Sequence, residues 1–158
     1  MWIKIAAAAG FGVVVWMLFR LAMDLRWAKL EREIQQRAHE ESGGRVVAEL
    51  PLPSGALELL VEDAASIRWI GHSVSKEELE GARLLMNERV VAECVRAGVL
   101  LPPPPSPTEE LDGHERWEVR LFLGGGRWAA IPCGTLREGV SREIATRAYE
   151  AAKAAVLA

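Results

Sequence analysis

The sequence has little of the residue types that build metal centres and disulfide frameworks. It contains two cysteines, Cys94 and Cys133, and three histidines, His39, His72 and His114. None of them stands at the short spacing of zinc ligands, and two isolated cysteines do not make a disulfide framework. One disulfide remains geometrically open, although a reducing compartment suits these cysteines better. We therefore expect no metal and no cofactor.

The chain also lacks an excess of positive charge. Its 19 basic and 22 acidic side chains give a formal net charge of −3. Because phosphate neutralisation needs a basic surface, a nucleic-acid partner is not expected. The local exception is the 116–147 segment, which contains six arginines and three glutamates. The arginines form a candidate anion-binding set. Its members are Arg116, Arg120, Arg127, Arg137, Arg142 and Arg147. The ordinary alternative is a solvated surface.

A catalytic constellation is missing as well. Cys133 follows a predicted strand, where a nucleophile with His114 as its base can sit, but a lone cysteine at a strand end is far more often structural. The Gly-Gly-Gly-Arg sequence at 124–127 lacks the lysine and the following helix of a phosphate-binding loop. We therefore predict no catalytic residue and no enzymatic activity.

What the sequence does have is a long apolar run near its start. Residues 5–19 are fifteen consecutive uncharged residues between Lys4 and Arg20. Both flanking side chains are long enough to reach lipid headgroups, so the effective span covers residues 2–23. That span corresponds to about 33 Å of helix, against roughly 30 Å for a hydrocarbon core. The run predicts a transmembrane anchor at 1–23.

Two alternatives to a retained anchor are a cleaved signal peptide and an apolar helix buried in a folded domain. The signal peptide is disfavoured because no small-residue cleavage site follows the run. Four basic residues flank the C-terminal side of the run and one flanks its N-terminal side. The positive-inside rule then places the folded domain in the cytoplasm. We predict a single-pass protein of the cytoplasmic (inner) membrane.

The anchor carries a small-xxx-small spacing, which lets a second helix approach closely. The residues of this helix-association face are Ala6, Ala8, Gly10 and Gly12. The expected partners are other membrane-protein helices and the lipid bilayer, and self-association into a homo-oligomer stays open. The simpler explanation is that Ala and Gly are abundant here.

Beyond the anchor, the pattern predicts a juxtamembrane helix and a Gly linker over 24–44, and then a βββα half over 45–101. The helix of this half is predicted to begin at Ser75, because Ser75 and Glu78 have the form of a capping box. Its apolar residues recur at spacings of three and four, and Gly98 ends it.

The remaining sequence divides into a Pro-rich linker over 102–115 and a ββα half over 116–158. Four consecutive prolines favour a stiff polyproline II spacer, and Pro102 and Pro105 fit the P-x-x-P pattern of ligands for SH3-type domains. The second half is a hairpin around the glycines at 124–126, followed by a helix from about Ser141.

The predicted fold class is therefore α+β. An N-terminal transmembrane helix continues into a juxtamembrane helix, and a small antiparallel sheet with two helices follows in the order βββα-ββα. One sheet is favoured over two diverged copies, because neither half alone buries much core. The predicted function is a membrane-anchored, non-catalytic scaffold or accessory subunit of a membrane protein complex. The alternative is a membrane-tethered module that binds an anionic ligand, nucleic acid or acidic lipid, through the 116–147 arginines.

Overall fold

The computed structural model describes residues 16–24, 26, 29–30, 33–34, 43–52, 56–106, 115–135 and 139–158. The chain divides into two compact units, Met1–Ser42 and Gly43–Ala158. The described residues of the first unit are helical. Those of the second unit form eight strands and one α-helix.

The described part of the first unit does not supply a membrane span. Its longest continuous stretch, residues 16–24, contains Arg20 and Asp24 and covers less than half of a bilayer core of about 30 Å. No helix in the described ranges combines the length and the apolar character needed to cross a membrane. This finding overturns three predictions: the transmembrane helix, the single-pass topology and the location in the cytoplasmic membrane. The predicted helix-association residues, Ala6, Ala8, Gly10 and Gly12, lie outside the described residues.

The second unit begins with an antiparallel meander of four strands in the order β1-β2-β3-β4. The strands are β1 Arg45–Pro51, β2 Leu57–Glu62, β3 Ser66–Trp69 and β4 His72–Ser75. The β3–β4 turn holds Ile70 at φ +43° and Gly71 at φ +70°, which is the turn type whose twist matches a hairpin. A β-branched residue is unusual at positive φ. Ile70 tolerates it while its side chain packs against the core.

Four more strands form a second antiparallel sheet in the order β6-β5-β7-β8. They are β5 Leu79–Met86, β6 Arg89–Val95, β7 Trp117–Leu123 and β8 Arg127–Gly134, and the C-terminal helix Val140–Leu157 follows. A 3-10 turn at Gly124–Gly126 joins β7 to β8. The helix packs against β5, β7, β8 and β1.

One hydrophobic core joins the two sheets and the helix. Leu50 and Leu60 of the first sheet and Leu121 and Ile131 of the second are completely buried in it. The helix presents a face of small residues, of which Ala145, Ala148, Ala152 and Ala155 are buried. Small side chains let the helix lie close to the sheet, so the larger leucines fill the space between the layers.

The predicted βββα-ββα fold with one small sheet is wrong. The main error falls on 75–97, which is the end of β4 followed by the β5–β6 hairpin and not a helix. Apolar residues recur there at helical spacing, but β5 is buried on both faces, which hides the two-residue period of a strand. The Ser75 hydroxyl accepts a hydrogen bond from the Glu77 N–H at 3.3 Å and closes a turn. The hairpin around 124–126 and the C-terminal helix are confirmed.

Candidate functional site

The outer face of the second sheet carries arginine and aromatic side chains on neighbouring strands. Arg83 on β5 lies directly opposite Arg120 on β7, and Phe122 on β7 lies opposite Trp128 on β8. Strand alternation puts all four side chains on the side away from the core. We call these four residues the aromatic–arginine face.

Each arginine of this face lies over an aromatic ring. The guanidinium carbon of Arg83 is 5.0 Å from the ring centroid of Phe122, and that of Arg120 is 5.1 Å from the ring centroid of Trp128. Such cation–π contacts contribute about 0.5–1 kcal/mol at exposed sites and more when desolvated. The first pair is covered, with both side chains only 6% exposed. Trp128 is 57% exposed, so the second pair presents an aromatic ring to the outside.

Two glutamates neutralise the adjacent arginines. Like charges directly opposite each other destabilise a sheet, but here each arginine has its own carboxylate. Glu93 accepts a hydrogen bond from Nε of Arg83, and Glu118 accepts one from Nε of Arg120 at 2.6 Å. Within the described parts of the chain neither guanidinium makes another hydrogen bond. Arg83 is buried, whereas the side chain of Arg120 is 19% exposed, so Arg120 is the arginine of this face that an acceptor from outside can reach.

The start of the predicted linker packs on this same face. Pro102, Pro103 and Pro105 line a cleft of ≈ 220 Å³ together with the four side chains of the aromatic–arginine face. Just before them, Leu101 lies over Gly81 of β5, where an added Cβ atom would be 3.0 Å from the leucine Cδ1. We call residues 101–106 the proline segment. Three of its prolines and Trp128 line the cleft.

A second concavity of ≈ 400 Å³ lies at one end of the two sheets. It is lined mainly by apolar groups, among them Leu52, Ile70 and Trp117. Its two charged lining residues already have partners elsewhere, because Arg116 binds a glutamate at 3.1 Å and Glu118 binds an arginine at 2.6 Å.

The arginines predicted to bind an anion are spread over several elements. Four of the five described members each bind a carboxylate: Arg116 with Glu88, Arg120 with Glu118, Arg127 with Glu78 and Arg147 with Glu143. Arg142 is exposed on the C-terminal helix, and Arg137 lies outside the described residues. Only Arg120 belongs to the aromatic–arginine face. Anion binding by this set stays a prediction.

The two cysteines are free and poorly suited to nucleophilic chemistry. Cys133 is completely buried, and desolvation raises the pKa of its thiol to about 12, so it stays protonated at neutral pH. Desolvation also raises the pKa of Cys94. His114, the candidate base for Cys133, lies outside the described residues. Among the described residues, no three His, Cys, Asp or Glu side chains are grouped to hold a metal ion.

Sequence reasoning missed three of the four residues of the aromatic–arginine face. Arg83 fell on a predicted helix, so no strand partner was assigned to it. Phe122 and Trp128 fell on the correctly predicted hairpin. Phe122 is an apolar residue among the polar side chains on the outer face of β7. It was the sequence signal that this outer face is also covered. The docking of the proline segment had no local signal.

No protein-family model matches the chain, and no curated protein and no solved structure matches it.

Proposed function

We propose that the protein is a non-catalytic scaffold or accessory subunit of a protein complex, and that it docks its partner on the aromatic–arginine face. The observation that carries this proposal is the position of Trp128. Its ring is more than half exposed, yet Arg120 lies over it and the proline segment stands beside it.

An exposed tryptophan in this setting is a favourable anchor for a partner. A tryptophan buries a large apolar area when it is covered, and its N–H can donate to the partner. Tryptophan and arginine are also the residues most enriched among those that dominate interface energies. Because Glu118 already holds Arg120, and Arg120 lies over the ring of Trp128, part of the side-chain entropy is lost before binding.

The surroundings support binding more than catalysis. The deeply buried Cys133 has a raised thiol pKa, and the glutamates beside the arginines are held in ion pairs. The anionic-ligand alternative has less support, because carboxylates of the chain itself already neutralise most of its described arginines.

Site-specific photo-cross-linking tests the proposal. A photoreactive phenylalanine analogue replaces Trp128 in the full chain, which is expressed in the cells that make the protein. In a matched variant the same analogue replaces Ala154, which is exposed on the C-terminal helix. We expect irradiation to give an adduct of one defined mass from position 128 and none from position 154.

The adduct then has to be confirmed with purified components. The cross-linked protein is identified by mass spectrometry and titrated against the unmodified chain and against Trp128→Ala. We expect the substitution to weaken binding about tenfold or more, as for a central interface tryptophan. Adducts from both positions, or an affinity that Trp128→Ala leaves unchanged, would show that the partner docks elsewhere.

A further inference from the structure

We infer that the ligand of the aromatic–arginine face is an extended, proline-rich segment of the partner protein. This inference rests on the proposed docking function and names the chemistry of what docks. Its starting observation is that prolines of the chain itself line the same cleft as the exposed Trp128.

The spacing of the cleft-lining prolines matches a polyproline II segment. That helix has three residues per turn, so residues three apart share an edge. Pro102 and Pro105 are three apart and line the cleft together with Pro103 of the neighbouring edge, whereas Pro104 on the third edge does not line it. The face thus already accommodates proline rings of its own chain, in a cleft that the exposed ring of Trp128 also lines.

The hydrogen-bonding groups of the face complement a proline-rich ligand. Proline has no N–H, and a polyproline II backbone makes no internal hydrogen bonds, so its carbonyl oxygens need outside donors. The face offers donors, namely the Nη groups of the partly exposed Arg120 and the indole N–H of the exposed Trp128. The neighbouring carboxylates of Glu93 and Glu118 are engaged with the two Nε donors. An acceptor-rich ligand is therefore matched better than a donor-rich one.

The shape and charge of the site favour the same ligand. The cleft has a volume of ≈ 220 Å³ and is lined by Phe122 and Trp128, and aromatic walls are the common feature of grooves that bind proline-rich segments. The two arginines and two glutamates sum to no net charge. An uncharged ligand is therefore favoured over an acidic one.

Isothermal titration of the full chain with three blocked octapeptides tests the inference: octaproline, an alternating Gly-Ser peptide and octaglutamate. Two variants test the site. Trp128→Ala removes the exposed indole ring that lines the cleft. Trp16→Ala is the matched control, because Trp16 is 59% exposed and also has an arginine, Arg20, over its ring at 5.5 Å.

We expect octaproline to bind saturably and the other two peptides to bind at least about tenfold more weakly. Trp128→Ala should weaken octaproline binding about tenfold or more, and Trp16→Ala should leave it unchanged. Arg120→Lys, which keeps the charge but loses the planar donors, should weaken it as well. Octaproline binding no better than Gly-Ser, or unaffected by Trp128→Ala, would overturn the inference. Tighter binding of octaglutamate would also overturn it and indicate an anion site.

The outcomes of the titration and of the cross-linking experiment distinguish a wrong ligand class from a wrong docking function. If position 128 yields a partner whose binding depends on Trp128, but octaproline does not bind, docking stands and the ligand class is wrong. If octaproline binds through Trp128, but irradiation yields no partner, the face recognises proline and the proposed role in a complex is wrong.

Discussion

Leu101 packs onto the backbone of Gly81, in the space that a side chain at position 81 would fill. A Cβ atom at Gly81 would lie 3.0 Å from Leu101 Cδ1 and 3.0 Å from the carbonyl oxygen of Cys94. This contact fixes the start of the proline segment on the outer face of β5. Pro102, Pro103 and Pro105, which follow Leu101 in the chain, line the cleft together with Trp128.

Replacing this glycine should therefore strain both the sheet and the proline segment. We expect Gly81→Ala to lower the free energy of unfolding by about 1–3 kcal/mol, because one of the two close atoms is backbone and yields little. Urea denaturation measures the change. Gly124→Ala is the control, since a Cβ atom there meets only Glu80 Oε1 at 3.6 Å, and we expect a change within about 0.5 kcal/mol. Equal losses in the two variants would contradict the packing of Leu101 on Gly81.

Arg83 should contribute more to stability than an exposed arginine does. Its side chain is 6% exposed, binds Glu93 and lies over Phe122. We expect Arg83→Gln to lower the free energy of unfolding by about 2–3 kcal/mol. The loss stays below the upper range for a broken buried ion pair because Glu93 remains partly hydrated. Arg127→Gln breaks an exposed pair with Glu78 and should cost less than about 1 kcal/mol. Chemical denaturation that ranks the two in the opposite order would contradict the burial of Arg83.

Asp63 should make the fold sensitive to acid. The hydroxyl of Ser66 donates to its carboxylate at 2.8 Å and the N–H of Ala65 donates at 2.8 Å, and these bonds lower the pKa of Asp63 from 3.8. A lowered folded-state pKa gives stability that is present above the unfolded value and lost as the pH falls through the folded value. We expect Asp63→Asn to flatten the loss of stability below about pH 4. Glu77→Gln, at an exposed turn position, should not flatten it.

Cys133 should make the fold sensitive to alkali. Burial, with Glu118 nearby, raises the pKa of its thiol from 9.0 to about 12. Because the folded-state pKa is raised, the contribution is present below the unfolded value and is lost as the pH rises from 9.0 towards about 12. Thermal melts across this window should show a falling midpoint in the wild type and a shallower fall in Cys133→Ala. A parallel fall in both proteins would contradict a desolvated thiol at this position.

The elements that sequence patterns predicted correctly are those with one mainly solvent-exposed face and one buried face. β7 places Trp117, Val119, Leu121 and Leu123 on its core face and breaks the polar side only at Phe122, and the C-terminal helix presents alanines on one side and charges on the other. The prediction of a helix over 75–97 was wrong because β5 is buried on both faces, by the core on one side and by side chains such as Leu101 on the other. Its apolar positions then matched a helical spacing by coincidence.

The candidate site was largely hidden from sequence reasoning because contacts between distant parts of the chain assemble it. Arg83 becomes part of a face only through its pairing with Arg120, which lies 37 positions further along the chain. The proline segment makes no regular backbone hydrogen bonds, so its sequence indicates a spacer whether it is solvated or docked. Its docking depends on a glycine twenty positions earlier and on Trp128, and no local pattern links them.

The indole N–H signals of the six tryptophans give the most direct test of the aromatic–arginine face. The full chain, labelled with ¹⁵N, is titrated with blocked octaproline, and the signals are assigned from Trp128→Phe and Trp16→Phe spectra. We predict that the Trp128 signal shifts progressively to saturation while the Trp16 signal stays in place. A Trp128 signal that does not move, or six signals that drift together, would contradict the claim that this face is the binding surface.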